Sequence, residues 1–288
     1  MFNNFDYCAP ETLIELLNIL GTKKSSSILA GGTDLLVNIR SGKLKPKNVI
    51  DIKKIKSLNT IKKVKHGIEI GASVTMNDIS RSPHFTGPYS VLKQSASVMG
   101  CFEIRNRATI AGNIINASPG AETLTPLSVL QAELIIQSRS TTRTSHVSEF
   151  IKGVNKTALK NNELLTSVLL PSYPPDTKGI YMRRQRVKGM DLASINCCLL
   201  IINPGKLSKR EVRFSLGTVA TVPYRSKKAE NILSYSKIDT NSINEAADII
   251  NSEISPRASS MRATPEYKRS MVRHFLKTGI QRILGGPF

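Results

Sequence analysis

The chain has 288 residues, of which 40% are hydrophobic, and no apolar segment approaches the roughly 18 residues that a membrane-spanning helix requires. This excludes a transmembrane protein and predicts a soluble globular protein of two or three compact units. The 41 Lys and Arg residues outnumber the 21 Asp and Glu residues, so the net charge of +20 will attract anions, acidic partners or nucleic acid.

The first hundred residues alternate between helical and strand patterns. Residues 13–20 place leucines on one helical face, and Gly21 is predicted to end that helix. Further helices are predicted at 35–40, 75–81 and 89–98, and strands at 27–30, 48–52 and 66–70. This alternation indicates α/β units rather than a β-sandwich or a helical bundle.

A lysine-rich segment extends from Arg40 to Lys65. It holds ten basic residues and a single acid, Asp51. Because Ile and Val positions continue through it, the segment is predicted to be a solvated face interrupted by strands and not a disordered tail.

A linker is predicted at residues 171–179, which contain three prolines and a glycine. Two strands are predicted before it, at 133–136 and 163–170. After it, strands are predicted at 180–186, 193–202 and 211–217, followed by helices at 226–233, 242–254 and 265–284. Strands grouped before helices indicate an α+β domain distinct from the first.

The cysteines and histidines predict no metal site and no catalytic residue. Cys8, Cys101, Cys197 and Cys198 form no C-x-x-C pair and have no ligand at metal spacing, which argues against zinc and against an iron–sulfur cluster. Cys197 and Cys198 fall within an apolar run and are predicted to be buried. The chain start lacks a secretion signal, so a cytoplasmic protein with reduced thiols is predicted. The histidines, which accompany no nucleophile signature, are His66, His84, His146 and His274.

Two turns rich in small residues could approach a phosphate. Gly31 and Gly32 stand between a predicted strand and a predicted helix, where main-chain N–H groups can converge on an anion. A second such turn lies at residues 108–114. Either turn alone also fits a tight turn without a ligand, whereas the two together favour a single bound diphosphate.

The motifs around these turns resemble a known family. Residues 29–35 (Leu-Ala-Gly-Gly-Thr-Asp-Leu), 104–114 and 116–122 resemble the FAD-binding medium subunit of molybdenum hydroxylases, the relatives of xanthine dehydrogenase, carbon monoxide dehydrogenase and aldehyde oxidase. The resemblance continues nearly to the end of the chain. The further matching segments are 5–7, 190–196, 215–219 and 262–268.

The resemblance implies an α+β fold of two domains. The first, at residues 1–174, is a two-lobed FAD-binding domain of the PCMH/vanillyl-alcohol-oxidase type, with lobes at about 1–56 and 57–174. The second, at residues 178–288, is a smaller α+β domain with a three-stranded antiparallel sheet and helices.

The resemblance also implies which residues hold FAD. The two turns that would wrap its diphosphate comprise Leu29, Ala30, Gly31, Gly32, Thr33, Asp34, Leu35, Thr109, Ile110, Ala111, Gly112 and Asn113. Ala111 stands where the family commonly has glycine, which is tolerable if its φ is negative. Glu122 stands where the family usually has aspartate, and it is expected to accept a hydrogen bond from a hydroxyl of the flavin nucleotide.

Three further residues are implied to lie near the flavin ring. Leu165 resembles a family position that packs near the isoalloxazine, although a plain core leucine is an equal alternative. Arg183 or Lys188 corresponds to a basic residue near the flavin or its phosphates, where positive charge would stabilise the reduced anion and raise its potential. A solvated strand edge is the alternative for both.

The predicted function is therefore that of an oxidoreductase subunit that transfers electrons through FAD. Its partners would be a large subunit with molybdopterin cofactor and a small subunit with two-iron two-sulfur clusters, and the acceptor would be NAD(P)+ or another molecule. Two alternatives stay open: a self-contained flavin oxidoreductase, and a basic nucleic-acid-binding protein. Against the latter, the chain has no Trp and only 5% aromatic residues for stacking on bases.

Overall fold

Three main β-sheets follow one another along the chain in the computed structural model, which describes residues 4–23 and 25–285. A two-stranded hairpin adds a fourth, minor sheet. No helix in these two described ranges is long and apolar enough to cross a membrane.

The first sheet is parallel and has three strands in the order β1-β3-β2. Its strands and helices are β1 (Asp6–Cys8), α1 (Leu13–Thr22), β2 (Ser26–Leu29), α2 (Leu35–Arg40) and β3 (Asn48–Asp51). The carboxyl end of β2 leads directly into the first glycine turn, which α2 follows. This part of the chain thus has the predicted strand–turn–helix order.

Helix α1 continues past Gly21, where the sequence predicts its end. Thr12 caps the helix by accepting a hydrogen bond from the Glu15 amide, and the Lys23 amide closes it on the Ile19 carbonyl. The apolar face formed by the leucines is buried in the core, and a Cβ on Gly21 would meet open space. Burial of that face outweighs the modest cost of about 1 kcal/mol for glycine in a helix.

The second sheet is antiparallel and has five strands in the order β4-β5-β10-β6-β7. Its strands are β4 (Ile61–Val64), β5 (Gly67–Gly71), β6 (Glu133–Gln137), β7 (Thr142–His146) and β10 (Leu164–Pro171). The sequence patterns miss the two edge strands, β4 and β7. Edge strands face solvent and carry many polar side chains, so they lack the apolar signal that the buried strands show.

Short helices fill the long connection between β5 and β6. They are α3 (Met76–Arg81), α4 (Ser90–Val98), α5 (Phe102–Arg105), α6 (Ile110–Asn116) and α7 (Leu124–Val129). A helix and a small hairpin precede β10, namely α8 (Val147–Phe150), β8 (Ile151–Gly153) and β9 (Lys156–Thr157). This lobe therefore combines an antiparallel sheet with helices, and the predicted α/β alternation does not extend to it.

The third sheet is antiparallel, with strands in the order β11-β12-β13-β14. Its elements are β11 (Lys178–Arg184), β12 (Ile195–Ile202), β13 (Glu211–Gly217), β14 (Tyr224–Arg225), α9 (Lys227–Tyr235), α10 (Thr240–Glu253) and α11 (Pro265–Leu284). The expected three-stranded sheet thus gains a fourth strand. Strand β14 spans two residues, opposite Ser215 and Leu216, and is too short to give a sequence pattern.

Strand β12 separates two hydrophobic cores. Alternate residues such as Cys197 and Leu199 pack into the core of the third sheet and its helices, whereas Cys198 and Leu200 pack into the core of the preceding domain. Both cysteines are fully buried, as predicted, and burial raises the pKa of each thiol well above its ordinary value. Strand β11, the neighbour of β12, packs against α4, where the Tyr181 amide donates to Gln94 Oε1 at 2.9 Å.

The lysine-rich segment is ordered into β3, a 3-10 turn at Lys56–Leu58 and β4, in agreement with the prediction. Most of its basic side chains are exposed. Lys53 contacts Asp51 at 2.5 Å, and Lys54 contacts Glu11 at 3.1 Å.

Candidate functional site

The first glycine turn connects β2 to α2. Gly32 has a φ of +79°, a conformation that favours glycine, and its carbonyl accepts a hydrogen bond from the Leu36 amide. Asp34 precedes the helix without capping it through its side chain. Gly32 thus turns the chain, and its neighbours are left with unused main-chain donors.

Four consecutive amides of this turn are available to a ligand. Within the described chain, the N–H groups of Gly31, Gly32, Thr33 and Asp34 donate to no protein acceptor. A row of main-chain donors of this kind is the usual cradle for an anionic group such as a phosphate.

The amides of residues 110–113 in the second turn are already occupied. Thr109 caps α6 by accepting a hydrogen bond from the Gly112 amide at 3.1 Å. The amides of Ile110 and Ala111 donate to the carbonyls of residues 74 and 72, and the Asn113 amide donates to Thr109. Ala111 lies in the helix and its φ is not positive, so the alanine fits where the family commonly has glycine. The second turn therefore offers a ligand a packing surface and the Thr109 hydroxyl, and not a set of free amides.

The structure brings the two turns into direct contact. A Cβ placed on Gly31 would lie 1.9 Å from the Arg107 carbonyl oxygen and 3.0 Å from Ala108 Cα. Those two residues immediately precede Thr109. Only glycine allows so close an approach of two backbones, so Gly31 sets the distance between the turns.

Glu122 is paired with residues of the C-terminal domain. Its carboxylate accepts hydrogen bonds from Arg183 Nη1 at 2.7 Å and from the Tyr181 hydroxyl. The side chains of Glu122 and Arg183 are only 3% and 12% exposed. Arg183 also donates to the Val98 carbonyl at 2.7 Å. The expected contact between Glu122 and a flavin nucleotide therefore has to share a carboxylate that these two partners already hold.

Burial dominates the titration of this cluster. Desolvation raises the pKa of Glu122 to about 7, against the opposing effects of Arg183 and Tyr181. Burial also raises the pKa of Tyr181 well above its ordinary value, and the Glu122 charge adds to that effect. Tyr181 accordingly remains a hydrogen-bond donor at neutral pH, whereas Glu122 changes its charge near neutrality.

An open pocket of about 700 Å³ adjoins this cluster. Its lining residues are Val98, Gly100, Arg105, Arg183, Arg184, Gln185, Arg186, Val187, Lys188 and Gly189. Arg186 is paired with Asp191, and their hydrogen bond lowers the pKa of Asp191 to about 2. Lys188 is exposed and has no ion-pair or hydrogen-bond partner in the described part of the chain. The pocket is thus basic, and among the described residues that line it Lys188 is the cation without an ion-pair or hydrogen-bond partner.

Side-chain contacts join this pocket to the second turn. Asn113 accepts a hydrogen bond from the Thr123 hydroxyl at 2.5 Å, and its Nδ2 lies 3.6 Å from Met99 Sδ. Thr123 follows Glu122, and Met99 stands between two lining residues of the pocket. The turns, the Glu122 cluster and the pocket therefore form one connected region between the two domains.

Leu165 lies apart from the accessible part of this region. It is fully buried in β10, opposite Ile136 of β6. This placement accounts for it as a core leucine, and its proximity to a flavin ring remains a prediction.

Three hydrogen bonds of Thr218, here called the Thr218 clamp, connect the other motif segments. Its amide donates to the Pro119 carbonyl at 3.0 Å, its hydroxyl donates to the Ser194 carbonyl at 2.7 Å, and its own carbonyl accepts from Lys268 Nζ at 3.0 Å. Thr218 has a φ of +68°, which is unfavourable for a β-branched residue and is held by these contacts. The clamp fixes the loop before Glu122 to the C-terminal domain.

Sequence reasoning missed two residues of the site. Tyr181 stands two positions before Arg183 on β11, and the period of two in a strand places both on one face. Arg105 lies within the second motif, lines the pocket and donates to the Met99 carbonyl at 2.9 Å. The strand period was the available signal for Tyr181, whereas nothing in the pattern indicates that Arg105 faces a pocket.

Two family models match the chain. Residues 3–173 match the FAD binding domain in molybdopterin dehydrogenase, and residues 180–283 match the CO dehydrogenase flavoprotein C-terminal domain.

Individual proteins are similar over nearly the whole chain. The glyceraldehyde dehydrogenase medium chain of Sulfolobus acidocaldarius is 28% identical, covering 93% of this chain and 94% of the relative. The putative xanthine dehydrogenase FAD-binding subunit of Escherichia coli K12 is 26% identical, covering 96% and 95%. A solved structure of carbon monoxide dehydrogenase from Hydrogenophaga pseudoflava, lacking the Mo-pyranopterin moiety, matches with a TM-score of 0.91 at 26% identity, over 98% of this chain and 97% of that one.

Proposed function

This chain belongs to the FAD-binding medium subunits of the molybdopterin dehydrogenases, and from that premise we propose that it transfers electrons within a larger molybdenum hydroxylase assembly. The observation that carries the proposal is the first turn. Its four unpaired amides lie beside the second turn because Gly31 packs directly on the Arg107 carbonyl. This arrangement is suited to a dinucleotide diphosphate, which needs several donors within a short distance.

The donor set fits FAD. Gly31, Gly32, Thr33 and Asp34 would donate main-chain hydrogen bonds to the diphosphate, and Thr109 would add its hydroxyl. The amides of residues 110–113 are used within the protein and would not contribute. The first turn would therefore bind the diphosphate, and the second turn would form the opposing surface on which the diphosphate packs.

The basic pocket is suited to the flavin end of the same cofactor. Its volume of about 700 Å³ lies in the range of ordinary cofactor sites. Of its cations, Arg183 is paired with Glu122 and Arg186 with Asp191, which leaves Arg105, Arg184 and Lys188 to supply net positive charge. Arg105 is hydrogen-bonded to the Met99 carbonyl and Arg184 to His274, whereas Lys188 has no partner in the described part of the chain. We propose that Lys188 faces the flavin and favours the negative charge that reduction adds.

Bound FAD would supply the ability to take up electrons singly and release them as a pair. The chain's own residues bind and orient the cofactor, and the Thr218 clamp keeps the two domains in register around it. We propose that electrons arrive from the iron–sulfur clusters of a small partner subunit, which receives them from the molybdopterin cofactor of a large partner subunit. The proposed acceptor is NAD(P)+ or another molecule.

Purification from the native source tests this proposal. We expect a yellow protein with two visible flavin bands, about one acid-releasable FAD per chain, and co-purifying subunits that contain molybdenum and iron. A flavin-containing chain that purifies alone would contradict the assembly and favour the self-contained oxidoreductase. A colourless chain that retards DNA would contradict the whole proposal.

The substitution Lys188→Gln tests the charge in the pocket. We expect the two-electron midpoint potential of bound FAD to become more negative by on the order of 20 mV, because one nearby positive charge is worth about 1 kcal/mol at a partly solvated site. Lys209→Gln removes an equal charge from an exposed 3-10 turn outside the pocket and should leave the potential unchanged. Equal potentials in the two variants would contradict the role of Lys188.

A further inference from the structure

A second pocket lies where three elements meet: the start of α4, the start of β11 and the last turn of α11. Its volume is about 320 Å³, and its lining includes Ser90, Thr177, Lys178 and Arg282. None of these residues belongs to the region assigned to FAD.

The pocket carries two positive charges without a counter-charge. Within residues 4–23 and 25–285, Lys178 and Arg282 form no ion pair, and no acidic side chain is among the residues that line the pocket. Two cations at one small site repel each other, and an anion between them removes that repulsion.

A buried hydroxyl at the same pocket lacks a partner. Thr177 is only 2% exposed, and its Oγ1 makes no hydrogen bond in the described part of the chain. Buried hydroxyls are nearly always satisfied in folded proteins, so an unpartnered one beside a pocket points to a missing acceptor. Ser90 accepts from Gln94 at 3.4 Å and keeps its own proton free to donate.

We propose that this pocket binds a phosphate-class oxyanion. Lys178 and Arg282 neutralise its charge, while the hydroxyls of Thr177 and Ser90 donate to its oxygens. The volume suits inorganic phosphate, pyrophosphate or the phosphate end of a small metabolite, and it is too small for a dinucleotide. The inference does not depend on the proposed electron-transfer role.

Calorimetric titration of pyrophosphate into the full-length chain tests this inference, with saturating FAD present to occupy the diphosphate site. We expect saturable binding that weakens with salt. The double variant Lys178→Gln/Arg282→Gln should weaken binding by roughly tenfold or more, since two charge-assisted contacts are lost. The control Lys206→Gln/Lys209→Gln removes the same net charge at an exposed turn and should change binding by less than about twofold.

The variant Thr177→Val separates ligand binding from folding. Its hydroxyl has no partner, so its removal should leave the thermal midpoint of the ligand-free chain unchanged or higher while weakening pyrophosphate binding severalfold. Titration of inorganic phosphate and of acetate distinguishes a phosphate site from a general anion site. The inference is overturned if no saturable binding is found, if acetate binds as well as phosphate, or if the double variant and its control bind pyrophosphate equally.

Discussion

Gly31→Ala should abolish most FAD binding while the C-terminal domain remains folded. The added Cβ would lie 1.9 Å from the Arg107 carbonyl oxygen and 2.6 Å from the carbonyl carbon, so one of the two backbones has to move. The two turns would separate, and the diphosphate would no longer fit between the amides of the first turn and the surface of the second turn. We expect the affinity for FAD to fall by about two orders of magnitude, as measured by flavin fluorescence titration.

Two further glycine-to-alanine substitutions serve as comparisons for the loss of FAD affinity expected in Gly31→Ala. Gly32→Ala would meet only the side chains of Leu29 and Leu36, at 3.0 and 3.1 Å, but would impose a φ of +79° on an alanine. That strain is worth about 1 kcal/mol and should weaken FAD binding about fivefold. Gly21→Ala meets open space and should bind FAD normally. Full FAD occupancy in the Gly31→Ala variant would show that the first turn does not take part in FAD binding.

Glu122→Gln should change how stability depends on pH. In the folded chain burial raises the pKa of Glu122 to about 7, from 4.5 for a solvated glutamate. Between these values the folded state binds the proton and the unfolded state does not. Glu122 therefore contributes stability at low pH that is lost as the pH rises toward 7, a change of about 3 kcal/mol.

Urea unfolding of the parent and variant chains between about pH 4.5 and pH 8 measures this effect. Glutamine keeps the contacts to Tyr181 and Arg183 in a neutral form, so the variant should lack the decline and gain relative stability as the pH increases. Glu245→Gln, at an exposed position of α10, should instead follow the parent. Parallel curves for Glu122→Gln and the parent would show that Glu122 is charged throughout this range.

The sequence predicts those helices, strands and turns that a short, continuous residue pattern marks. The first turn has two glycines between an apolar strand and a helix, and the structure places the turn there, with α2 at Leu35–Arg40 as predicted. Helix α11 and strand β13 also agree in both bounds, because a Thr-Pro start marks α11 and continuous apolar alternation marks β13. The edge strands and the two-residue β14 gave no such signal.

Pairings between distant residues were beyond the sequence pattern. Glu122 and Arg183 are 61 positions apart, and the family resemblance implies a separate role at the flavin for each, whereas in the structure they bind each other. The sequence pattern likewise does not show that the amides of Ile110 and Ala111 are occupied, since their acceptors are the distant carbonyls of residues 74 and 72. A glycine motif indicates where backbones approach closely, but it does not show which donors stay free after folding.

Amide hydrogen exchange with and without FAD tests the central claim most directly, namely that the first turn holds the diphosphate. The amides of Gly31, Gly32, Thr33 and Asp34 have no protein acceptor and should exchange rapidly in the FAD-free chain. Saturation with FAD should slow their exchange strongly, with little change in α10. Rapid exchange at these four amides in the FAD-saturated chain would contradict the claim.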